Sequence, residues 1–130
     1  RNNLTPQTVA RLSEAFLAFA QQQPGVRASV LATIDGFEIA SHCPDTNFRS
    51  QNLAAMASSL TAISRAITKE VAFDGCDRLL LESVSGRIVF QPVSSLGVPC
   101  TVCVAVASST ILGHVLWSLD EFVRSLKGLH

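Results

Sequence analysis

Charge is scarce in this chain and neither sign prevails: Asp, Glu, Lys and Arg make up 15% of the 130 residues, ten cationic against ten acidic. With no net field, charge alone does not draw the chain onto a phosphate backbone or an anionic bilayer, so neither nucleic acid nor membrane insertion is expected. Long apolar runs are missing too. Arg, Glu, Asp or Gly interrupts each stretch well before the roughly 20 residues a membrane span requires. The first helix-like segment carries Arg11 and Glu14 inside its apolar pattern, unlike the core of a secretory signal. A cytoplasmic protein is the expectation. No G-x-x-x-x-G-K-[ST] occurs, so the chain lacks the loop that cradles nucleotide phosphates. There is no G-x-S-x-G elbow for a hydrolase triad. His42, His114 and His130 fall in different segments with no Cys or carboxylate at a ligand interval, so no metal and no cofactor are expected.

Four cysteines, Cys43, Cys76, Cys100 and Cys103, are present. They suffice for two bridges, but a chain this apolar has a core without staples, and free, mostly buried thiols are the plainer expectation. Cys100 and Cys103 form a C-x-x-C inside the β-branched run Val98 to Val104. Residues three apart on a strand point to opposite faces, which works against a shared metal or disulfide. A redox or zinc role is the alternative.

What is abundant is apolar material, 48% of the residues. The length fits one domain spanning 1–130 with one core. Thr5-Pro6 opens a first helix with Val9, Leu12, Phe16 and Phe19 on one stripe, and Pro24-Gly25 stops it. Val26, Ala28, Val30, Ala32 and Ile34 alternate with more polar residues, as in a strand with one buried face. Asp35-Gly36 then suggests a two-residue type I′ turn, in which Asp35 accepts left-handed backbone geometry. Phe37 to Ser41 return as the second strand.

From about Asn47 to Ala72 there is neither Gly nor Pro, and Leu53, Met56, Leu60, Ile63, Ile67 and Val71 form one stripe. This predicts a long central helix docked by that stripe and closed by Asp74-Gly75. Three strands follow, Arg78 to Val84, Arg87 to Val93 and Pro99 to Ala107. Apolar residues at both parities predict a sheet covered on both faces. Ser108 or Ser109 caps a last helix with Leu112, Val115, Leu116, Leu119, Phe122, Val123 and Leu126 on its stripe, ending at Lys127-Gly128. The fold class is therefore α/β (α+β), in the order α-β-β-α-β-β-β-α. A five-stranded antiparallel sheet lies between one long central helix and the terminal helices.

That order resembles the Roadblock (dynein light-chain) family in its bacterial form. So do the segments Gly25-Val26-Arg27-Ala28-Ser29-Val30-Leu31-Ala32-Thr33-Ile34-Asp35-Gly36-Phe37-Glu38-Ile39-Ala40-Ser41 and Leu53-Ala54-Ala55-Met56-Ala57-Ser58-Ser59-Leu60. The likeness runs from about residue 8 to 126, and the order of all eight elements carries it. It implies a sheet ordered 2-1-5-4-3, with the first and last helices on one face and the central helix on the other. It also implies a homodimer through the central helix and third strand. Members of the family bind small Ras-like GTPases or serve as scaffolds and motor-complex light chains. Some bacterial members accelerate GTP hydrolysis by reshaping the partner's switch regions, without a catalytic residue to carry over.

The residues support self-association separately. Ala55, Ser59, Ala62 and Ala66 form a second helical stripe, small enough for a close helix neighbour, although alanine also suits plain solvent-facing positions. The run Arg78 to Val84, with Arg78, Leu80 and Glu82 on one face, would leave an apolar edge that a symmetry-related strand can pair. Arg49, Arg65 and Lys69 lie off the core stripe. They are candidates for meeting carboxylates or a switch region of a partner, or are simply a solvated face. Trp117 lies off the last helix's stripe as an interface residue, or folds back on the first helix.

The reading is thus a non-enzymatic, homodimeric regulator or scaffold for a small Ras-like GTPase, with a GTPase-activating or regulatory role towards that partner as the expectation. The alternatives are an adaptor subunit without GTPase regulation, a small-molecule sensor with a concave polar pocket, and an enzyme using Cys103 or Cys76 as a thiolate of depressed pKa.

Overall fold

Thr5 accepts a hydrogen bond from the Thr8 backbone N–H at 3.1 Å and Pro6 takes the first helical position, starting α1 (Pro6–Gln22) in a computed structural model that describes residues 4–129. His130, set aside above as a metal ligand, lies outside the described residues. The remaining elements are β1 (Val26–Thr33), β2 (Glu38–His42), α2 (Ser50–Glu70), β3 (Leu79–Glu82), β4 (Gly86–Val93), β5 (Cys100–Ala107) and α3 (Leu112–Ser125). Every strand pairs antiparallel, in the order β2-β1-β5-β4-β3.

α1 and α3 cover one face of the sheet. Leu12, Phe16, Phe19, Val115, Leu119, Phe122 and Leu126 meet Leu31, Val89, Val102, Val104 and Val106 there. The Phe16 and Phe122 rings stack with centroids 4.9 Å apart. On the other face α2 packs through two smaller clusters. Ala54 and Leu53 lie with Val30 and Ala32, and Ala57 and Leu60 with Phe90 and Cys103. The expectation of one buried face on β1 is corrected: Ala28 through Thr33 are all buried. β1 is an inner strand with helices on both sides, so its polar positions, Ser29 and Thr33, are covered as fully as its apolar ones.

Several boundaries also differ from expectation. The first hairpin does not turn in two residues. Gly36 N–H donates to the Thr33 carbonyl at 3.1 Å and Thr33 N–H to the Phe37 carbonyl at 2.9 Å. This is a three-residue loop in which Gly36, at φ +93°, takes the left-handed position and Asp35 does not. Asp35 instead accepts a hydrogen bond from the Thr33 hydroxyl at 2.5 Å, while that hydroxyl accepts from Phe37 N–H at 3.1 Å.

α2 ends before Asp74-Gly75, because Ala72 adopts φ +60° and Phe73 N–H bonds back to the Thr68 carbonyl at 2.8 Å. Neither Ser108 nor Ser109 caps α3. A turn closed by Thr110 N–H to the Ala107 carbonyl at 3.0 Å comes first, and Ile111 holds the cap position with no side-chain hydrogen bond. Finally, β3 is not covered on both faces: Leu80 and Leu81 remain 41% and 47% exposed at the sheet's edge.

Candidate docking surface

The central helix is docked the opposite way round from expectation. Its buried residues are Ala54, Ala57, Thr61 and Ser64, spaced three, four and three apart. Met56, Ile63 and Ile67, expected in the core, are 63%, 55% and 59% exposed, and Val71 just past the helix end is 54% exposed. At about 100° per residue the stripe of bulky residues lies about 110° round the helix from the small buried one, so it faces sideways and outward and not onto the sheet. Only Leu53 and Leu60, at the flanks, reach the sheet clusters.

The reason is volume. Phe90, Leu79 and Ile88 on the sheet fill the space beneath α2, so the helix contributes small side chains at the contact. Two buried polar residues hold it there as well: the Thr61 and Thr101 hydroxyls are 3.0 Å apart, and Ser64 donates to the Thr61 carbonyl at 2.7 Å. At the N-terminal half the first hairpin leans on the helix. The Ser58 hydroxyl donates to the Ile34 carbonyl, and a Cβ on Gly36 would stand 3.5 Å from the Ala55 Cα.

Ala55, Ser59, Ala62 and Ala66 are all exposed, flanking the bulky stripe on the side of α2 turned away from the sheet. Ala55 and Ser59 line a shallow hollow of about 370 Å³ together with Met56, Leu60 and Ile63. The seam read from the sequence as a stripe of small residues is therefore a wider surface. Its apolar area comes from Met56, Ile63 and Ile67, which sequence reasoning placed inside. Leu60 packs on the same Ala57, Phe90 and Cys103 cluster as Leu79 of β3 and Ile88 of β4, which puts the bulky stripe on the side of α2 that leads towards the β3 edge.

On β3, Arg78, Leu80 and Glu82 share the face towards α3. Arg78 reaches inward over the sheet, with Nε donating to Gln91 Oε1 at 3.1 Å and a terminal nitrogen to Asp120 Oδ1 at 2.8 Å. Gln91 Nε2 donates to the same Asp120 oxygen at 3.2 Å. Glu82 is held by Arg87 at 3.3 Å, and Arg87 also donates to the Thr110 carbonyl at 3.1 Å.

The four candidate partner-binding residues are not brought together. Arg65 and Lys69 stand one turn apart on α2, both exposed. Arg49 is the N-cap residue of the same helix, about 24 Å along the axis from Arg65. Trp117 lies on α3, in the layer on the opposite face of the sheet, and is 66% exposed. It does not fold back into the core. It borders an open groove of about 390 Å³ between α1 and α3, lined also by Ala15, Ala18, Phe19 and Phe122.

All four cysteines are free thiols. Cys100 lies in the α1–α3 cluster and Cys103 in the α2 cluster, on opposite faces as their strand spacing required. Burial pushes the Cys100 thiol up to about 11, and burial, with a smaller contribution from Cys43, pushes Cys103 up to about 12. That is the wrong direction for a thiolate nucleophile and removes Cys103 as a candidate. Cys76, half-buried, donates to the Arg78 carbonyl at 3.4 Å. Among the described residues no three His, Cys, Asp or Glu side chains gather to hold a metal, and no helix is long and apolar enough to cross a membrane.

The same architecture occurs in solved structures. MglB of Myxococcus xanthus superposes with a TM-score of 0.85 at 14% identity, covering 96% of this chain and 91% of that one. An MglB described as having a tetrameric arrangement gives 0.82 at 15% identity, covering 97% and 92%. A Roadblock/LC7 domain from Streptomyces avermitilis gives 0.76 at 17% identity, covering 88% and 92%. At such identities the likeness speaks for the fold. No curated protein sequence matches the chain. The sequence pattern of the Roadblock/LC7 domain matches residues 12–98, two thirds of the chain, from the middle of α1 to the loop before β5. The chain belongs to the Roadblock/LC7 domain family.

Proposed function

We propose that this Roadblock domain is a non-enzymatic docking protein that pairs with a second copy of itself and, as a pair, binds a small Ras-like GTPase and modulates its nucleotide cycle. One observation carries the reading. α2 turns its bulky apolar stripe, Met56, Ile63 and Ile67, away from its own sheet, next to an uncovered edge strand with Leu80 and Leu81 exposed. Exposed apolar surface that is contiguous and flanks an unpaired strand marks a protein interface, because water and a free strand edge are both poor neighbours for it.

A second copy is the economical cover, since a two-fold contact buries the same patch on both chains. The tetrameric arrangement described for one similar structure supports self-association. In such a pair the two α2 helices lie side by side. Ala55, Ser59, Ala62 and Ala66 lie beside the bulky stripe as part of the seam, with Arg65 and Lys69 at the margin to meet acidic groups of a partner.

The family supports the GTPase as the partner class. The test is binding of the purified pair to the host's Ras-like GTPases, each loaded with GDP or with a non-hydrolysable GTP analogue. State-dependent binding, with an altered GTP turnover rate, is expected. Equal, negligible binding to both forms of every such GTPase would leave an adaptor without GTPase regulation.

A further inference from the structure

On the side of the sheet away from α2, the end of α3 and the β4–β5 loop border an open hollow of about 250 Å³. Its polar lining is Gln91 on β4, Ser94 and Ser95 in the loop, Asp120 and Arg124 on α3, and Lys127 just past the helix. We infer that this hollow binds a small oxyanion of the phosphate class, which ties the loop to the end of α3. The site uses neither the α2 stripe nor the β3 edge and goes beyond the docking role.

Charge decides the class of ligand. Of the lining residues only Asp120 is acidic, and its Oδ1 already accepts from Arg78 at 2.8 Å and from Gln91 at 3.2 Å. Its charge is thus met from within the sheet. Lys127 forms no ion pair among the described residues. Arg124 gives one terminal nitrogen to Glu121 at 2.7 Å, three residues earlier on the same helix, and both side chains are exposed. A surface pair of that kind is worth little, and it occupies one of five guanidinium N–H donors. Two cations therefore stand at the hollow with donors to spare.

The carbonyls at the end of α3 work against an anion, since a helix C-terminus carries about half a negative charge. Here they are largely met. The carbonyls of Phe122, Val123 and Arg124 accept from the Ser125 hydroxyl at 2.6 Å, Leu126 N–H at 3.1 Å and Lys127 N–H at 3.3 Å. Half a charge, capped in this way, does not offset two cations.

Shape narrows the class further. Donors come from two walls, Arg124 and Lys127 from the helix side and Ser94 and Ser95 from the loop side. A planar carboxylate has two oxygens and suits a single forked guanidinium. A phosphate group presents at least three acceptor oxygens in a tetrahedron and can meet both walls at once.

Two buried groups point the same way independently of charge. Ser95 Oγ is shut off from solvent and has no hydrogen-bond partner among the described residues. Buried hydroxyls are normally paired. An anion oxygen in the hollow that Ser95 lines supplies the missing partner once the side chain changes rotamer. Gln91, only 9% exposed, has spent one of its two Nε2 hydrogens on Asp120 and keeps the other for the ligand.

Titrating the nitrogen-15-labelled full chain with inorganic phosphate, at an ionic strength held constant with chloride, reads the site by NMR. Saturable shifts are expected in the amides from Ser94 to Leu96 and from Arg124 to Lys127, all fitting one dissociation constant. Arg124→Gln and Lys127→Gln change exposed side chains and leave the fold intact. Each is expected to weaken binding about tenfold, the scale of one charge-assisted hydrogen bond. Arg27→Gln, which removes an exposed cation at the opposite end of the sheet, should leave binding unchanged. Free O-phosphoserine in place of phosphate separates the sources: tighter binding assigns the site to a phosphorylated small molecule, weaker binding to the free ion. Acetate binding as tightly as phosphate overturns the phosphate class. Shifts that rise linearly with phosphate, or that persist in the Arg124→Gln, Lys127→Gln double variant, are ionic screening alone and overturn the site.

Discussion

Replacing Ile63 with Asp separates the two roles that the central helix could give its bulky stripe. Burying a whole Ile side chain is worth about 1.5–3 kcal/mol. Ile63 is 55% exposed in the single chain, so a second copy that covered it would gain roughly half of that. The change occurs in both copies, which makes the loss about 2–3 kcal/mol, or a dissociation constant raised about 30- to 150-fold. Desolvating the new carboxylate adds to it. The single chain should barely notice, losing at most about 1 kcal/mol, since the exposed half of the side chain makes no contact to lose.

Sedimentation equilibrium across a concentration series gives the first quantity. Urea unfolding far below the dissociation constant gives the second. The reasoning fails if the single chain loses 3 kcal/mol or more, because Ile63 would then be a core residue. It also fails if the wild-type pair and the variant pair dissociate alike.

Phe16→Ala should behave in the opposite way. A fully buried ring stacked on Phe122 is removed from the α1–α3 layer, costing the single chain about 3–5 kcal/mol in urea unfolding with the Cα backbone topology retained. Ala72→Gly should stabilise by about 0.5–1 kcal/mol, because a residue with a Cβ now sits at φ +60° where glycine carries no steric cost; a lower melting temperature would count against this. Stability should fall in alkali. The Cys100 and Cys103 thiols are pushed up to about 11 and about 12 from an ordinary 9.0, so the folded chain keeps protons that the unfolded chain releases. Their contribution is complete below pH 9 and is lost as pH rises from about 9 through 12. Unfolding midpoints measured against pH, with a Cys100→Ala, Cys103→Ala control that flattens the slope, check it.

The order of elements was legible in the sequence because each rests on local chemistry that nothing distant overrides. Pro6 and Thr5 start α1, Pro24-Gly25 stop it, and Gly36 permits the hairpin. The details that escaped were settled by neighbours far away in the chain. Ser29 and Thr33 look solvent-facing in an alternating strand, yet β1 is an inner strand between two helical layers and both are buried. The Arg78–Gln91–Asp120 network joins β3, β4 and α3, and no spacing within any one of them announces it. The edge residues Arg78, Leu80 and Glu82 did stand out from the sequence, because an apolar strand with charges at its ends is unusual as an open edge whatever lies behind it.

The misplaced face of α2 has a more general cause. Both stripes of the helix obey helical spacing, 54, 57, 61 and 64 on one side and 56, 60, 63 and 67 on the other. Periodicity states that a helix has faces and does not state which one a given neighbour takes. Assigning the bulkier face to the core assumes that the core lies within one chain. Here the sheet beneath α2 already supplies Phe90, Leu79 and Ile88, and a bulky helix face laid on them would overfill the space. The small residues go inward for that reason, and the large ones remain on the exposed side of the helix. A helix whose smaller stripe carries hydroxyls that can pair within a sheet, as Thr61 does with Thr101, can therefore turn that stripe inward even when its other stripe is the more apolar.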